Sequence, residues 1–297
     1  MFGVFDTLLF HATIQSVTPI LLAAWAGLIC QRAGIFTIAQ EGLMLGSAFA
    51  AVAGSWFLGD ATAGVAVAIL TSVIMSVIIA AGGVWFKGDT IVIGIGINLL
   101  ADGMSIFLLR QLFDVQGVFQ NADLKGLLPL RIPLIADIPG IGPAISGQTW
   151  VTYFAWILVI VISLFLFRTS WGLRLRGVGE QPEAAETLGV SVRRYRSAAI
   201  LVSGALCGLA GAQLSLGSVT LFAEGMSAGR GWIAVVAVML GRAHPLGVLG
   251  ASVLFGLADA IGLRMQGLGL PNQLTDASPY VVTLVALALA VRRKRTA

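Results

Sequence analysis

Residues 61–86 read ATAGVAVAILTSVIMSVIIAAGGVWF, 26 consecutive positions without a charged side chain. As a helix this stretch is about 39 Å long, and about 20 apolar residues are enough to cross the hydrocarbon of a bilayer. It reads as a membrane span. Outward from it, three more intervals lack charge: 7–31, 138–167 and 197–223. Two further helices are expected at Ile35 to Leu58, which holds Glu41, and at Thr90 to Phe113, which holds Asp102 and Arg110.

Composition agrees with a lipid-embedded chain. Of 297 residues, 58% belong to the AVILMFWYC set and 11% are charged, with a mean hydropathy of +0.94. Soluble domains carry about 25% charged residues, so this chain lacks the polar side chains to cover a water-facing surface. The two cysteines, Cys30 and Cys207, each lie in apolar sequence and exclude a disulfide scaffold. Glycine supplies 37 residues, an excess that suits helices approaching closely in lipid. Gly204, Gly208 and Gly211 give the sixth span a small face for packing within the subunit or against a second chain. The net charge of +4 does not indicate nucleic acid, because the arginines cluster in short connections and at the C-terminus. With Asp6 and no Lys or Arg ahead of the first apolar run, no cleaved secretory signal is expected.

The C-terminal third is less regular. Gly231 to Gly241 is too short to span as an ordinary helix, and His244-Pro245 ends it before Leu246 to Leu263 begins; a last apolar piece runs from Ser278 to Val291. Placing 168–196 and the basic tail 292–295 in the cytoplasm leaves 13 of the 18 Lys and Arg residues inside and the N-terminus outside. Both basic segments can be cytoplasmic only if the short piece completes a crossing, as a half-helix with irregular neighbours buried in protein. The outer loop from Asp114 to Gln148, with Pro129, Pro133, Pro139 and Pro143, is expected to be ordered but not helical throughout.

The loop between the fifth and sixth spans reads RTSWGLRLRGVGEQPEAAETLGVSVRRYRS, residues 168–197. Pro182 suits a first helical position, Glu183 and Glu186 favour the positive helix end, and Gly189 suits the position just past the C-cap. Ala184, Ala185 and Leu188 form a small apolar face, and Ser191 is placed to cap the next helix. An ordinary amphipathic loop helix would show the same features.

From Gly177 to Ala212 the sequence GVGEQPEAAETLGVSVRRYRSAAILVSGALCGLAGA resembles the cytoplasmic coupling loop of ABC-importer permeases of the branched-chain amino acid and simple-sugar group. AGIFTIAQEGLMLGSAFAAV, GIGINLLADGM, GRGWIAVVAVMLGRAHPLGVLGASVLFG and SPYVVTLVALAL match in order, the first resembling the nucleoside and sugar permeases that work with a lipoprotein receptor. The resemblance implies a bacterial inner-membrane permease carrying a nucleoside or simple sugar by alternating access. It implies cytoplasmic ATPase subunits docked through Glu183, Ala184, Ala185, Leu188 and Gly189. A second permease, related but different, and an extracytoplasmic lipoprotein that binds the solute complete the implied assembly.

Other chemistry is missing. None of the three lysines, Lys87, Lys125 and Lys294, stands in a phosphate-binding G-x-x-x-x-G-K-[ST] loop, so ATP hydrolysis must lie on another subunit. His11 and His244 are far apart and neither precedes Glu, which excludes a zinc-protease H-E-x-x-H helix; there is no G-x-S-x-G. No catalytic residue, metal or cofactor is expected. Two rivals stay open: an ion-coupled transporter using Asp102 and Asp259, and an intramembrane enzyme with those two acids as a dyad. For the solute pathway the candidates are Asn98, Gln40, Glu41 and Trp232. The Asn98 amide both donates and accepts, which suits a polar neutral solute; the alternatives are a helix–helix bond for Asn98, a Glu41–Arg32 ion pair, and an interfacial aromatic belt for Trp232 with Trp56, Trp85, Trp150 and Trp171. Asp259 and Arg264 are expected near the outer end of their span, within reach of a receptor or as ordinary end charges. The whole is expected to be an all-α membrane protein, one polytopic helical bundle over residues 1–297, with about eight or nine crossings including one broken helix and a short cytoplasmic coupling helix.

Overall fold

The computed structural model describes residues 7–130 and 146–266. Seven of its helices are long and apolar enough to cross a membrane. In chain order the helices are α1 (Thr7–Arg32), α2 (Gln40–Leu58), α3 (Ala61–Ala80), α4 (Thr90–Phe113), α5 (Trp150–Arg168), α6 (Ser170–Glu180), α7 (Pro182–Thr187), α8 (Val192–Ala212), α9 (Arg230–Leu240) and α10 (Pro245–Gln266). π-helical turns at Ala81–Trp85 and Gln213–Ser218 extend α3 and α8. The spans expected within the described residues are present, with α8 starting five residues earlier than the charge-free interval because its first turn carries the arginines. The last apolar piece, the basic tail and Pro133, Pro139 and Pro143 lie outside the described residues.

The core is built on α1 and α8. In each, 83% of the most apolar window is buried, against 22% in α4. α8 packs along α3, α2 and α1, and α1 packs along α10 and α9. The Gly204, Gly208 and Gly211 face serves this internal contact. A Cβ on Gly208 would come within 2.7 Å of the Ile69 Cα on α3, and one on Gly211 within 2.3 Å of the Met44 carbonyl on α2.

The helix ends separate into two sides. At one, Arg32 donates to the Ala243 carbonyl at 2.7 Å and Arg196 to the Ala33 carbonyl at 3.3 Å; we call it the basic end. At the other, Ser55 donates to the Lys125 carbonyl and Gln148 to the His11 carbonyl. Here two short antiparallel ladders, β1 (Val118–Phe119) with β4 (Phe222–Ala223) and β2 (Pro129–Leu130) with β3 (Gln148–Thr149), hold the described parts of the outer loop.

Two places depart from regular spans. α2 has 19 residues, whereas its antiparallel neighbour α3 runs 25 with its π turn, so α2 begins about 9 Å short of the basic end. The gap is filled by residues 33–39, a turn at 33–34 followed by irregular chain, in which Ile35, Thr37 and Ala39 are buried while Phe36 points outward. Likewise α9 is an 11-residue half-helix entered through turns at 224–229 and ending at the basic end.

The close crossing of α8 makes a testable demand. Replacing Gly208 with Val should cost about 1–3 kcal/mol or more through overpacking, read as a lower thermal midpoint for monodisperse protein in detergent. Gly250→Ala, where nothing lies within 4 Å of the added carbon, should leave the midpoint unchanged.

Candidate functional site

Backbone groups that leave helical pairing at membrane depth need partners inside the protein. The first turn of α2 meets that need from both sides. Thr90 donates to the Phe36 carbonyl at 2.8 Å, and Asn98, two turns further along α4, donates to the Ile38 carbonyl at 3.0 Å. The same Asn98 amide accepts the Gly42 N–H at 2.8 Å through its oxygen. Asn98 thus caps α2 from another helix and holds the connection 33–39 to α4. The approach is close: a Cβ on Gly42 would lie 2.6 Å from the Asn98 Cα.

On the other side Glu41 caps α9. Its carboxylate accepts the Gly229 N–H at 2.8 Å and the Gly231 N–H at 2.7 Å. A helix start leaves N–H groups unpaired and carries the positive end of the helix dipole, so a carboxylate there is stabilising. Gly231 admits the contact, since a Cβ would stand 2.4 Å from the Glu41 nitrogen. The Glu41–Arg32 pairing considered from the sequence does not occur; Arg32 turns instead to Ala243. Beside this start, Arg230 pairs with Asp259 on α10 at 3.1 Å, both side chains largely buried at 16% and 14% exposure. Asp259 is therefore an internal partner of the half-helix and not a surface end charge.

The pathway candidates gather at this turn. Gln40 is 2% exposed and its Oε1 has no partner, facing a small cavity shared with Gln31, Thr37 and Val235. Trp232 stands in the first turn of α9 at 41% exposure. Asp102 and Asp259 do not form a dyad: Asp259 is bound to Arg230, and Asp102 stands on the exposed side of α4.

The loop at the basic end is more structured than its sequence conveyed. α6 precedes the expected short helix, starting at the Thr169 hydroxyl, which accepts the Gly172 N–H. Its apolar positions Leu175 and Val178 are buried, a 3-residue spacing that the many intervening arginines and glycines obscured. α7 begins with Pro182 as its first residue, and Gly189 follows its end with φ +76°, as expected. Ser191 sits at the N-cap of α8, but its hydroxyl makes no capping bond. The apolar face divides: Ala185 is buried against Val178 and Val192, whereas Glu183, Ala184, Leu188 and Gly189 face outward, Leu188 being 82% exposed. α5, α6, α7 and α8 border an open cavity of about 1240 Å³, lined by Val161 and Phe165 on the apolar side and by Arg174, Arg194, Tyr195 and Leu188 nearer the loop.

Residues 9–287 match the family described as branched-chain amino acid transport system / permease component. The chain belongs to this family. The permease is 33% identical to the guanosine ABC transporter permease protein NupQ of Bacillus subtilis, over 93% of its own length and 89% of that protein. It is 34% identical to the nucleoside ABC transporter permease protein NupC of Lactococcus lactis, over 92% and 88%. Its fold is shared with PsaBC from Streptococcus pneumoniae, solved in complex with Fab, at a TM-score of 0.53 and 14% identity, covering 96% of this chain and 92% of that one. The permease is thus a multi-pass membrane subunit of an ABC importer and not an enzyme.

The capping roles separate by substitution. Glu41→Ala strips two N–H groups of their acceptor and should destabilise the fold by about 1–2 kcal/mol, whereas Glu41→Gln, keeping one acceptor, should lose less. A thermal melt of the three proteins in one detergent checks the order; equal midpoints would remove the cap from this account.

Proposed function

We propose that this permease moves nucleosides across a bacterial inner membrane. In this reading it works with cytoplasmic ATPases, a second and related permease chain, and an extracytoplasmic lipoprotein that delivers the solute. The observation that carries the proposal is the pairing of nearly full-length similarity to guanosine and nucleoside permeases with an outward-facing, apolar-tipped α7 at the basic end. Glu183, Ala184, Leu188 and Gly189 form the docking knob, and Ala185 secures it from beneath.

The contacts at the basic end offer a route from this knob to the pathway. Ala185 joins Val178 of α6 and Val192 of α8 in one small cluster. Gly179, one residue on, packs so tightly on the end of α1 that a Cβ would lie 2.3 Å from the Arg32 carbonyl and 2.9 Å from the Gly34 nitrogen. Gly34, in the connection 33–39, has φ +74°, a backbone state that glycine adopts without strain. Arg32 and Arg196 then tie the α9 end and the start of α8 to the same corner. A push on α7 would reach residues 35–39, the first turn of α2 and the half-helix, where Gln40, Glu41, Asn98 and Trp232 would shape the inner part of the path. Packed elements with two arrangements transmit displacement in this way.

Leu188→Glu should abolish copurification of the ATPase from cells expressing the whole importer and bring guanosine uptake to background, while the permease itself keeps its melting midpoint. Ala185→Leu should instead lower that midpoint. Retained ATPase binding and uptake in Leu188→Glu would exclude α7 as the docking site. A wild-type importer that takes up a simple sugar but no nucleoside would overturn the substrate assignment.

A further inference from the structure

α4 is the long helix least covered by its own chain. Its buried seam runs Gly94, Ile97, Ala101, Ser105 and Leu109, a spacing of three to four residues that keeps one narrow stripe on the bundle. Beside the seam stands Asp102. It lies twelve residues beyond Thr90 and eleven before Phe113, about 18 Å from the start of the helix and hence near the middle of the span. Its side chain is exposed, and among the described residues its carboxylate has no hydrogen-bond or ion-pair partner; Ser105 bonds to its backbone carbonyl. Around it the surface is open: a Cβ on Gly96 or Gly103 would meet nothing within 4 Å.

A charge at this depth facing lipid costs about 2.5 to 3.5 kcal/mol on insertion scales and far more in simulations. The rest of α4 spends nothing of the kind, since Leu99, Leu100 and Phe107 around it are apolar and exposed. The carboxylate therefore faces water or a polar group outside the described residues of this chain. Its position narrows the choice. Asp102 follows Asn98 by one turn on the same side of α4, and Asn98 is anchored to the first turn of α2. The carboxylate thus lies about 6 Å along α4 from the Asn98 position, rotated toward the exposed side of the helix.

We infer that Asp102 lines a water-filled path between this permease and its second chain, and there accepts hydrogen bonds from the vicinal hydroxyls of a ribose. This rests on the nucleoside reading above. A carboxylate offers two acceptor oxygens and no donor, which matches two adjacent hydroxyl donors on an uncharged solute. Gly103, next to Asp102, leaves the adjoining helix surface open. Contact is transient, because the solute must leave again, so the effect falls on the rate of passage and not on capture by the receptor.

The test uses the complete importer in proteoliposomes, with guanosine and 2′,3′-dideoxyguanosine each supplied at concentrations that saturate the receptor. Wild type should move guanosine faster than the dideoxy compound. Asp102→Asn should lower the maximal guanosine rate by roughly tenfold, the scale of one lost hydrogen bond to a charged group. The dideoxy rate, ATPase copurification and the melting midpoint should stay unchanged, and Asp102→Glu should recover part of the preference for guanosine. Unchanged guanosine passage in Asp102→Asn, or an equal loss for both solutes, overturns the inference while leaving nucleoside transport intact. Loss of the second permease from the complex would make Asp102 an interchain anchor and likewise overturn it. A wild-type importer that moves neither compound overturns the nucleoside reading, and this inference with it.

Discussion

Unpaired backbone groups at membrane depth are the constraint from which the rest follows. A continuous helix satisfies its own N–H and C=O groups, but among the described residues the chain breaks twice inside the bundle, before α2 and before α9. Each break exposes a helix start, with unpaired donors and a positive dipole end. Lipid supplies no acceptor. The protein supplies two: the Asn98 amide for α2 and the Glu41 carboxylate for α9. Because Glu41 belongs to the first turn of α2, the two caps are in series, and α4, α2 and α9 are fixed to one another through a single turn of helix. Any movement of the connection 33–39 must be felt in all three.

That serial arrangement explains why small residues collect where they do. Gly42 and Gly231 let α4 and α9 reach the turn, and Gly34 and Gly179 let α6 press on the corner that leads to it. These contacts are backbone against backbone, which makes them stiff. Side-chain packing alone would yield by rotamer changes, whereas such contacts pass a displacement on. A nucleotide-driven push from outside the membrane needs stiff elements of this kind, ending on a joint whose bonds are polar and can exchange.

The spans were legible because their signal is additive: twenty apolar residues in a row outweigh any local preference. The half-helix was legible from its length, since the apolar run Gly231 to Gly241 is too short for a full span. Pro182 and Gly189 mark the ends of α7 because each has a backbone reason to sit there. Partner choice was less legible. Glu41 lies nine residues from Arg32 in sequence, so pairing with it was a natural reading, but the acceptor went to two amides about 190 positions away. Nothing local encodes that contact; only the tertiary approach of α9 creates it. For Asn98 the helix–helix bond was one of two readings, and the structure shows such bonds on both sides of its amide. α6 escaped because buried Leu175 and Val178 are too few to mark a face among arginines and glycines.

The charges inside the bundle also distinguish a gated conduit from an ion-coupled carrier. A carrier needs a buried acid that can take up and release its ion, but Asp259 is held by Arg230 at 3.1 Å. Arg230 opens α9, where a cation opposes the helix dipole, so the half-helix start tolerates it because the carboxylates of Glu41 and Asp259 lie alongside. Removing one partner of such a largely buried pair leaves a charge uncompensated and costs about 3–5 kcal/mol, so Asp259 is constrained to stay in place. Its role is to fix the start of α9 against α10, as Glu41 fixes it against α2. The acid left without a partner, Asp102, lies instead on the open side of α4. Static charges therefore anchor the moving parts on one side of the first turn of α2, and the free carboxylate faces outward from the other.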